Sequence, residues 1–517
     1  MSAARSRRGE PGRVVVEHVA PVVDCGRFPV KRVSGEDVVV TADVFTDGKD
    51  TVAARLLHRP PGGRWTAVPL DPSGNDRWSA SFPVERLGIH RFTVEAWIDP
   101  FRSWLVGALA KIDAGQDVAV DLRIGAHLVQ EAADRASSRA AERLRATAAP
   151  LLEGDAAAFA AAAGTIARLM DGLADRRDAT IHPERTVLVE RERARFSTWY
   201  ELFPRSAAPE AGRHGTFADV ARRVPGLAAL GFDVLYLPPI HPIGVTGRKG
   251  RDNALTARRG DPGSPWAIGA AEGGHTAIHP ELGRAADFRA LLAEAGRHGV
   301  EIALDLAYQC SPDHPWVTEH PQWFRHRPDG SIQFAENPPK RYEDIYPIDF
   351  DTEDREGLWA ALKGVVDHWV GEGVRIFRVD NPHTKPFAFW EWLLAEVRAE
   401  HPDLLFRAEA FTRPPVLERL PKLGFSQSYN YFAWRNSAWE LRDYFTELTT
   451  TEVAEYLRPN VWPNTPDILT EHLQHGGRGA FTARAVLAAT LAASYGVYGP
   501  AFELCEHEPR HPGSEEY

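Results

Sequence analysis

The chain has 517 residues, of which 44% are hydrophobic and 25% are charged, and its formal net charge at pH 7 is −11. This length exceeds one small domain, so we expect an ordinary globular protein divided into two to four domains. The acidic balance argues against a protein that binds duplex nucleic acid through a basic surface, and it leaves neutral or small anionic substrates open.

The N-terminal residues 1–13 are rich in arginine but contain no apolar core of a signal peptide, and no stretch approaches the roughly 18 apolar residues of a membrane span. The three cysteines, Cys25, Cys310 and Cys505, are widely spaced and have no metal-like pairing. We therefore expect free thiols in a reducing compartment, hence a cytoplasmic protein with no membrane partner.

The first half of the chain predicts two different folds in succession. Residues 1–123 predict an N-terminal β-sandwich, because stretches such as 37–45 and 90–97 alternate apolar and polar residues between Pro, Gly and Asp turns. Residues 124–189 are rich in Ala, Arg, Glu and Leu with helical spacing of the apolar positions. They predict a helical insert or small bundle, whose small faces could also support a dimer contact.

Residues 190–517 predict a parallel barrel, because short apolar strands alternate with amphipathic helical stretches. The predicted strands are 196–203, 234–237, 301–306, 374–379, 404–408, 426–432 and 494–497. The expected fold is therefore multidomain, with a (β/α)8 TIM-barrel catalytic domain after the sandwich and the helical insert. Two long connections, 241–280 and 308–350, are typical of functional loops. The chain ends soon after the last strand, so we expect a truncation before the last barrel helix.

Two carboxylates follow neighbouring predicted strands of this barrel. Pro382 ends one strand, so Arg378, Asp380 and Asn381 emerge at its C-terminal end, which is the active face of a barrel. Glu409 ends the next strand, 29 residues after Asp380, at the spacing of about one βαβ unit. Such a pair can flank one sugar bond, with Asp380 as nucleophile, Glu409 as general acid/base and Arg378 keeping Asp380 ionised. A structural ion pair at a strand end is the alternative.

With these residues, the sequence resembles the α-amylase superfamily of retaining glycoside enzymes and, within it, the maltosyltransferases that use maltose 1-phosphate. The resemblance covers nearly the whole chain, although the C-terminal sandwich of that family is absent here. The matching blocks are 303–310, the segment around Arg378 and Asp380, the segment around Glu409, and 464–467.

The resemblance implies an enzyme that moves a maltosyl unit from α-maltose 1-phosphate to the non-reducing end of an α-1,4-glucan and releases phosphate. It also implies a homodimer. The binding partners are these two substrates, and no metal or organic cofactor is needed. Two other functions stay open. A hydrolase or trehalose-forming isomerase of the same superfamily would use the same carboxylates with a neutral leaving group. A catalytically dead glucan-binding protein is suggested by the apparent truncation.

Further site residues come from the resemblance. Asp467 resembles the third carboxylate, which binds ring hydroxyls and favours the transition state, although 464–467 is also typical of a turn and helix start. Hydrolytic amylases carry Asn-His where this chain has Gln309 and Cys310, and His-Asp where it has Pro466 and Asp467. These departures argue against ordinary starch hydrolysis. The maltosyltransferases share them, and there Gln309 would contact the donor sugar.

The second long loop contains a candidate phosphate site. A departing phosphate needs a cation and hydrogen-bond donors, and Asn337, Lys340 and Tyr342 can supply both. The resemblance makes this the donor phosphate site, with Lys249 of the first long loop as a further donor-site lysine. Asn381 could line the sugar site. The alternative for this loop is a solvated segment with incidental basic residues.

Overall fold

The computed structural model describes residues 12–517, which form two compact units that divide between Leu188 and Val189. Residues 1–11 of the predicted sandwich domain lie outside the described part of the chain. Within residues 12–517, no helix combines the length and the apolar character that crossing a bilayer requires.

The first unit contains strands and helices in succession. Its elements are β1 (Val14–Ala20), β2 (Val30–Val33), β3 (Glu36–Thr46), β4 (Val52–Arg59), β5 (Thr66–Pro69), β6 (Asp71–Gly74), β7 (Arg77–Val84), β8 (Gly88–Ile98), α1 (Pro100–Asp113), α2 (Ala119–Arg135), α3 (Ser138–Thr147), α4 (Ala149–Glu153), α5 (Ala156–Asp171), β9 (Thr180–Ile181) and β10 (Arg185–Glu190).

The strands form two sheets, ordered β1-β3-β7-β6 and β2-β10-β8-β4-β5, with β9 paired to β8. Alternation along β3 turns Val38, Val40 and Val44 into the core, where each is at most 1% exposed. Phe82 of β7 and Phe92 of β8 pack with ring centroids 5.9 Å apart. The two sheets therefore face each other across an apolar layer.

The helices begin at Pro100, before residue 124, where the sequence analysis placed the change from strands to helices. The reason is a local cap: the Asp99 side chain accepts the Arg102 N–H at 2.9 Å, and Pro100 occupies the first turn, where proline is tolerated. After α5, β9 and β10 return to the second sheet. The helices share a core of their own, which includes Leu122, Leu144, Phe159 and Ile166.

The second unit alternates strands and helices. Its elements are β11 (Ser197–Glu201), α6 (Phe217–Ala229), β12 (Val234–Leu237), α7 (Ala285–Arg297), β13 (Glu301–Leu306), β14 (Gln309–Cys310), α8 (Pro315–Glu319), β15 (Ala335–Asn337), β16 (Lys340–Tyr342), β17 (Tyr346–Pro347), α9 (Arg355–Gly371), β18 (Ile376–Val379), α10 (Phe387–Glu400), β19 (Leu405–Ala408), α11 (Pro414–Leu423), β20 (Gln427–Ser428), α12 (Ala438–Thr450), β21 (Asn460–Val461), α13 (Glu471–Leu491), β22 (Ser494–Tyr498) and α14 (Gly499–Glu503).

Eight of these strands form one parallel sheet in the order β20-β19-β18-β13-β12-β11-β22-β21. A parallel bridge between Ser428 and Pro459 joins its two ends, and the Ser428 N–H donates to the Arg458 carbonyl at 3.1 Å. The sheet thus closes into a barrel, which confirms the predicted fold class. The barrel strand that the sequence pattern did not predict is β21, because Pro459 and Pro463 flank it and leave no apolar run of strand length.

Candidate active site

Polar side chains gather at the C-terminal ends of three adjacent barrel strands. Asp305 of β13 lies level with Arg378 of β18, and Glu409 directly follows β19. Arg378 and Asp380 are two residues apart, so both side chains point to the same face of the sheet. Parallel pairing of β13, β18 and β19 therefore brings one cation and three carboxyl groups together.

Arg378 lies at the centre of this cluster. Its Nη1 donates to Oδ2 of Asp305 at 2.9 Å and lies 3.2 Å from Oδ1 of Asp380, while its Nη2 pairs with Oε1 of Glu409. All four side chains are buried. One planar guanidinium thus contacts carboxyl groups from three strands, which a single point charge could not do with comparable geometry.

The pKa values of Asp380 and Glu409 are shifted in opposite directions. Burial acts to raise the pKa of Asp380, but Arg378 and a hydrogen bond shared with Glu409 outweigh it and the net pKa is lowered. Burial raises the pKa of Glu409 well above its ordinary value, opposed by Arg378 and reinforced by the charge of Asp380. Near neutral pH this leaves an ionised carboxylate beside a protonated one, which is what a nucleophile and a general acid require.

Asp305 shares Nη1 of Arg378 with Asp380. Its Oδ2 accepts hydrogen bonds from the Tyr236 hydroxyl at 2.5 Å and from Nε1 of Trp266 at 3.2 Å, in addition to the one from Arg378. Burial, opposed by Arg378, raises the pKa of Asp305 to about 6. Asp305 therefore orients the arginine and is itself fixed by two neutral donors.

Asp467 and Asn381 lie beside the carboxyl pair. Asp467 is exposed after β21, where its Oδ1 accepts from the Thr465 hydroxyl at 2.8 Å. Its charge adds to the burial that raises the pKa of Glu409, which places it within electrostatic reach of the pair. Asn381 has a left-handed backbone, with φ of 42°, and its Nδ2 donates to Oδ1 of Asp380 at 3.3 Å.

Gln309 belongs to the same cluster through a tryptophan. Its Nε2 donates to the Trp266 carbonyl at 3.2 Å, and the indole of Trp266 donates to Asp305. The first long loop, which carries Trp266, thus connects Gln309 with the arginine cluster.

The predicted phosphate site forms a hairpin of β15 and β16, in which Asn337 pairs with Lys340 and Ala335 pairs with Tyr342. Tyr342 packs at the base of the hairpin in an apolar cluster with Trp266. Asn337 and Lys340 are exposed, and Nζ of Lys340 lies 3.2 Å from Oε1 of Glu516.

Lys249 is buried at 4% exposure, and its Nζ donates to the Arg341 carbonyl of β16 at 3.4 Å. Sequence reasoning missed Asp344, which lies close to this lysine. Asp344 is buried, its Oδ1 has no hydrogen-bond partner among residues 12–517, and burial raises its pKa against the opposing charge of Lys249. The sequence signal that could have indicated Asp344 is its position just after the basic residues of the second long loop.

Lys385 was also missed. Its Nζ donates to the carbonyl oxygens of Asp380 and Asn381 at 3.4 and 3.3 Å. Burial lowers the pKa of Lys385, opposed chiefly by Asp380 and Glu409. The short turn Pro382–Thr384 folds this lysine back onto the site, and residue spacing alone does not indicate such a return.

Two groups of side chains within residues 12–517 bring three potential metal ligands together: His275, Cys310 and His314, which are buried, and His214, His279 and Glu281, which are more exposed. In the buried group, Nδ1 of His275 lies 3.0 Å from Nε2 of His314. The remaining ring nitrogens bond the Ala307 carbonyl and the Trp316 N–H. Hydrogen bonding thus occupies all four ring nitrogens and accounts for their closeness.

Comparison with known proteins extends these observations. A family model described as alpha-1,4-glucan:maltose-1-phosphate maltosyltransferase, domain N/S, matches residues 12–191. The alpha-1,4-glucan:maltose-1-phosphate maltosyltransferase of Chlorobaculum tepidum is 56% identical over 509 residues, which cover 98% of this chain and 76% of the relative. Relatives of the same name from Methylacidiphilum infernorum and Streptomyces coelicolor are 49% and 51% identical, with the same coverage of both chains.

Solved structures of two α-amylases also align with the chain. The enzyme from Geobacillus thermoleovorans aligns with a TM-score of 0.48 and 14% identity, over 62% of this chain and 73% of the other. The enzyme from Lactobacillus plantarum aligns with a TM-score of 0.46 and 25% identity, over 60% of this chain and 73% of the other.

The closed parallel barrel and its buried carboxyl pair define the class: a (β/α)8 enzyme of glycoside chemistry. Identity at about half of the positions over 98% of the chain then decides the particular group. The chain belongs to the alpha-1,4-glucan:maltose-1-phosphate maltosyltransferase family, which confirms the resemblance seen in the sequence.

Replacing Arg378 by lysine tests the geometry of the cluster. Arg378→Lys keeps the charge but loses the planar fork, so we expect kcat/KM for maltosyl transfer to fall by at least about 10²-fold. Arg375→Lys is the matched control, because Arg375 pairs with Asp403 just before β18 and lies at the other end of the strand. A loss below about threefold in a folded Arg378→Lys protein would show that the fork is not needed.

Proposed function

We propose that this chain transfers a maltosyl unit from α-maltose 1-phosphate to the non-reducing end of an α-1,4-glucan and releases phosphate. The buried pair of Asp380 and Glu409 around one guanidinium carries the proposal, because retaining transfer needs an ionised and a protonated carboxyl group beside the same anomeric carbon. The names of the relatives supply the two substrates.

In the first step, an ionised oxygen of Asp380 attacks C1 of the donor while the bond from C1 to the phosphate oxygen breaks. The phosphate leaves with the bonding electron pair and takes the proton of Glu409. The products are a β-maltosyl ester of Asp380, free phosphate and an ionised Glu409.

In the second step, the 4-hydroxyl of the glucan end gives its proton to Glu409 as its oxygen attacks C1. The ester bond to Asp380 breaks, and the carboxylate returns to Arg378. Two inversions leave an α-1,4 bond. The carboxyl groups and the phosphate of the substrate carry every proton and charge, so no step needs a metal or an organic cofactor.

The hydrogen bond between Asp380 and Glu409 must open for this reaction. Carboxyl groups of retaining enzymes flank the sugar bond about 5 to 5.5 Å apart, which is too far for a direct hydrogen bond. Donor binding would therefore exchange that bond for contacts with C1 and the leaving oxygen. Arg378 contacts both carboxyl groups, so it can keep each of them in place during the exchange.

The remaining site residues receive binding roles in this proposal. Lys249 and the hairpin residues Asn337, Lys340 and Tyr342 bind the donor phosphate. Burial of Lys249 and its bond to the Arg341 carbonyl support a fixed cation at the base of the hairpin. The donor sugar is contacted by Gln309, Asn381 and Asp467, of which Asp467 binds ring hydroxyls in the transition state.

The first experiment measures phosphate release from α-maltose 1-phosphate by the purified chain, with and without maltohexaose. We expect release that depends on the acceptor and falls at least about 10⁴-fold in Asp380→Ala, which lacks the nucleophile. Asp367→Ala is the control, because Asp367 is an exposed aspartate of α9 that pairs with Lys363.

The other outcomes identify the competing functions. Shortening of the glucan without any need for a phosphate donor would mean a hydrolase. A folded chain that binds maltohexaose but releases no phosphate would mean a glucan-binding protein without activity.

Neutralising the lysines tests the phosphate site separately from the carboxyl pair. We expect Lys249→Met to lower kcat/KM for maltose 1-phosphate about 10²-fold, because a buried cation beside a dianion contributes on the order of 2–3 kcal/mol. α-Maltosyl fluoride has no phosphate, so its turnover should fall less than about threefold. Lys340→Met should likewise lose more activity with maltose 1-phosphate than with the fluoride. Lys363→Met on α9 should lose activity with neither donor. Equal losses for both donors would contradict a phosphate site here.

We also propose that the enzyme is a cytoplasmic homodimer, with the helices α1 to α5 of the first unit as the dimer contact. Exposed apolar side chains on α1 and α2 support this contact: Val106, Val120 and Ile124 are 65%, 64% and 49% exposed. The three cysteines are unpaired, as expected in a reducing compartment.

Light scattering of the purified chain tests the dimer. We expect twice the chain mass for the natural sequence and a shift to one chain mass for Val120→Glu, since a charge at an apolar interface is costly to bury. Val486→Glu, which changes a similarly exposed valine of α13, should leave the mass unchanged. A single chain mass for the natural sequence would contradict the proposal.

A further inference from the structure

The barrel interior contains a buried carboxyl group that the proposed reaction does not use. It belongs to Glu201, the last residue of β11, which is 2% exposed. Side chains alternate along a strand, so Ser197, Trp199 and Glu201 share one face. Nε1 of Trp199 donates to the Ser197 hydroxyl at 2.8 Å, whereas Tyr200 points to the outer layer and donates to Glu503 at 2.5 Å. Glu201 therefore faces the barrel interior at the C-terminal end of β11, which is the end of the barrel that carries the active site.

Charged groups from four other parts of the barrel act on Glu201: Arg378 of β18, Arg407 of β19, Asp305 of β13 and Asp467 after β21. Three tyrosines also interact with its charge: Tyr236 and Tyr429, which are buried, and Tyr498, which is half-buried. Glu201 thus lies within electrostatic reach of the arginine that organises the reacting carboxyl pair.

This part of the barrel contains polar atoms that no side chain satisfies. Within residues 12–517, the buried atoms without a hydrogen-bond partner include Oε2 of Glu201, Nε of Arg378, Oδ1 of Asp305, and Nε and Nη1 of Arg407. An unpaired charge in such surroundings is costly, so the protonation state of each carboxyl group matters.

Charge balance indicates which carboxyl groups hold protons. Five of them lie among three cations, Arg378, Arg407 and Lys385: those of Asp305, Asp380, Glu409, Glu201 and Asp467. The charges balance when two of the five are protonated. Glu409 is one, since it hydrogen-bonds the ionised Asp380. Asp467 is exposed to solvent, and Asp305 accepts three hydrogen bonds on Oδ2, as an anion does, which leaves Glu201 as the second.

We propose that Glu201 is a positioning residue of the active site: held as a neutral carboxylic acid at the end of β11, it leaves the Arg378 guanidinium to the reacting carboxyl groups. The inference rests on the proposed function. An ionised Glu201 would compete for Arg378, weaken its hold on Asp380 and add a negative charge near the reacting pair. Transfer should therefore fail as Glu201 loses its proton.

The pKa shift of Glu201 supports this role and fixes the sign of its effect on stability. Burial, opposed by Arg378 and Arg407, raises the pKa of Glu201 to about 8. A glutamate in the unfolded chain ionises near about pH 4.3. The unfolded state thus releases a proton that the folded state keeps. The contribution of Glu201 to the free energy of unfolding is therefore greatest below that lower pH and falls until about pH 8.

The test compares the natural chain with Glu201→Gln, a neutral isostere, by Tm between about pH 5 and 9 and by kcat/KM for phosphate release over the same range. We expect the Tm of the variant to rise relative to the natural chain as the pH increases, and to level off above about pH 8. The alkaline limb of kcat/KM should move to higher pH in the variant. Glu396→Gln, at an exposed position of α10, should change neither dependence.

Each other result overturns the inference. A Tm difference that is constant or narrows with rising pH would show that Glu201 is an anion in the folded protein. A widening difference with an unmoved alkaline limb would show a buried acid without a positioning role. If Glu201→Gln does not fold, Glu201→Leu removes the same titration and is judged by the same criteria. Absence of phosphate release by the natural chain would overturn the proposed function instead, while the Tm series would still decide the protonation state.

Discussion

The site depends above all on one buried cation, the guanidinium of Arg378. Desolvating such a charge costs several kcal/mol, and only contacts of good geometry offset this. Asp305, Asp380 and Glu409 provide them from three adjacent strands. The parallel register of those strands is therefore a requirement of the chemistry as well as of the barrel. Burial, which Arg378 only partly opposes, raises the pKa of Glu409, whereas Arg378 and the hydrogen bond with Glu409 outweigh burial and lower the pKa of Asp380.

A second buried arginine is stabilised in a different way. Arg407 of β19 is the register partner of Arg378 on β18, and its guanidinium carbon lies 3.9 Å from the ring centroid of Trp199 and 4.4 Å from that of Tyr429. Its Nη2 also donates to the Tyr429 hydroxyl at 2.9 Å. Stacked aromatic faces stabilise a cation without bringing in further negative charge. This leaves the carboxyl groups for Arg378, so aromatic rings stabilise one buried arginine and carboxyl groups stabilise the other.

The sequence predicted those parts of the site that local pattern determines. Asp380 and Glu409 each follow an apolar strand, and a strand end is visible in the residues that form it. The strand Asn460–Val461 lies between Pro459 and Pro463, so no apolar run of strand length indicates it. Trp266 and Lys385 reach the cluster through loops and turns, so their contacts depend on the tertiary path of the chain rather than on spacing. The helices beginning at Pro100 were placed too late for a similar reason, because one capping aspartate outweighs the average composition of the segment.

Two imidazoles that stay neutral help to hold the long loops around the site. His275 bonds the Ala307 carbonyl just beyond β13 and lies 3.0 Å from His314, and burial lowers the pKa of both imidazoles to about 3. An added Cβ on Gly274 would lie 2.1 Å from the His314 ring, so the backbone leaves space for that side chain only because of the glycine. Because these imidazoles remain uncharged across the neutral range, they fix the loops without changing the field at the site. The pH dependence of turnover should therefore arise from the carboxyl groups of the barrel, and the positive charge offered to a phosphate in the loops comes from lysines such as Lys249.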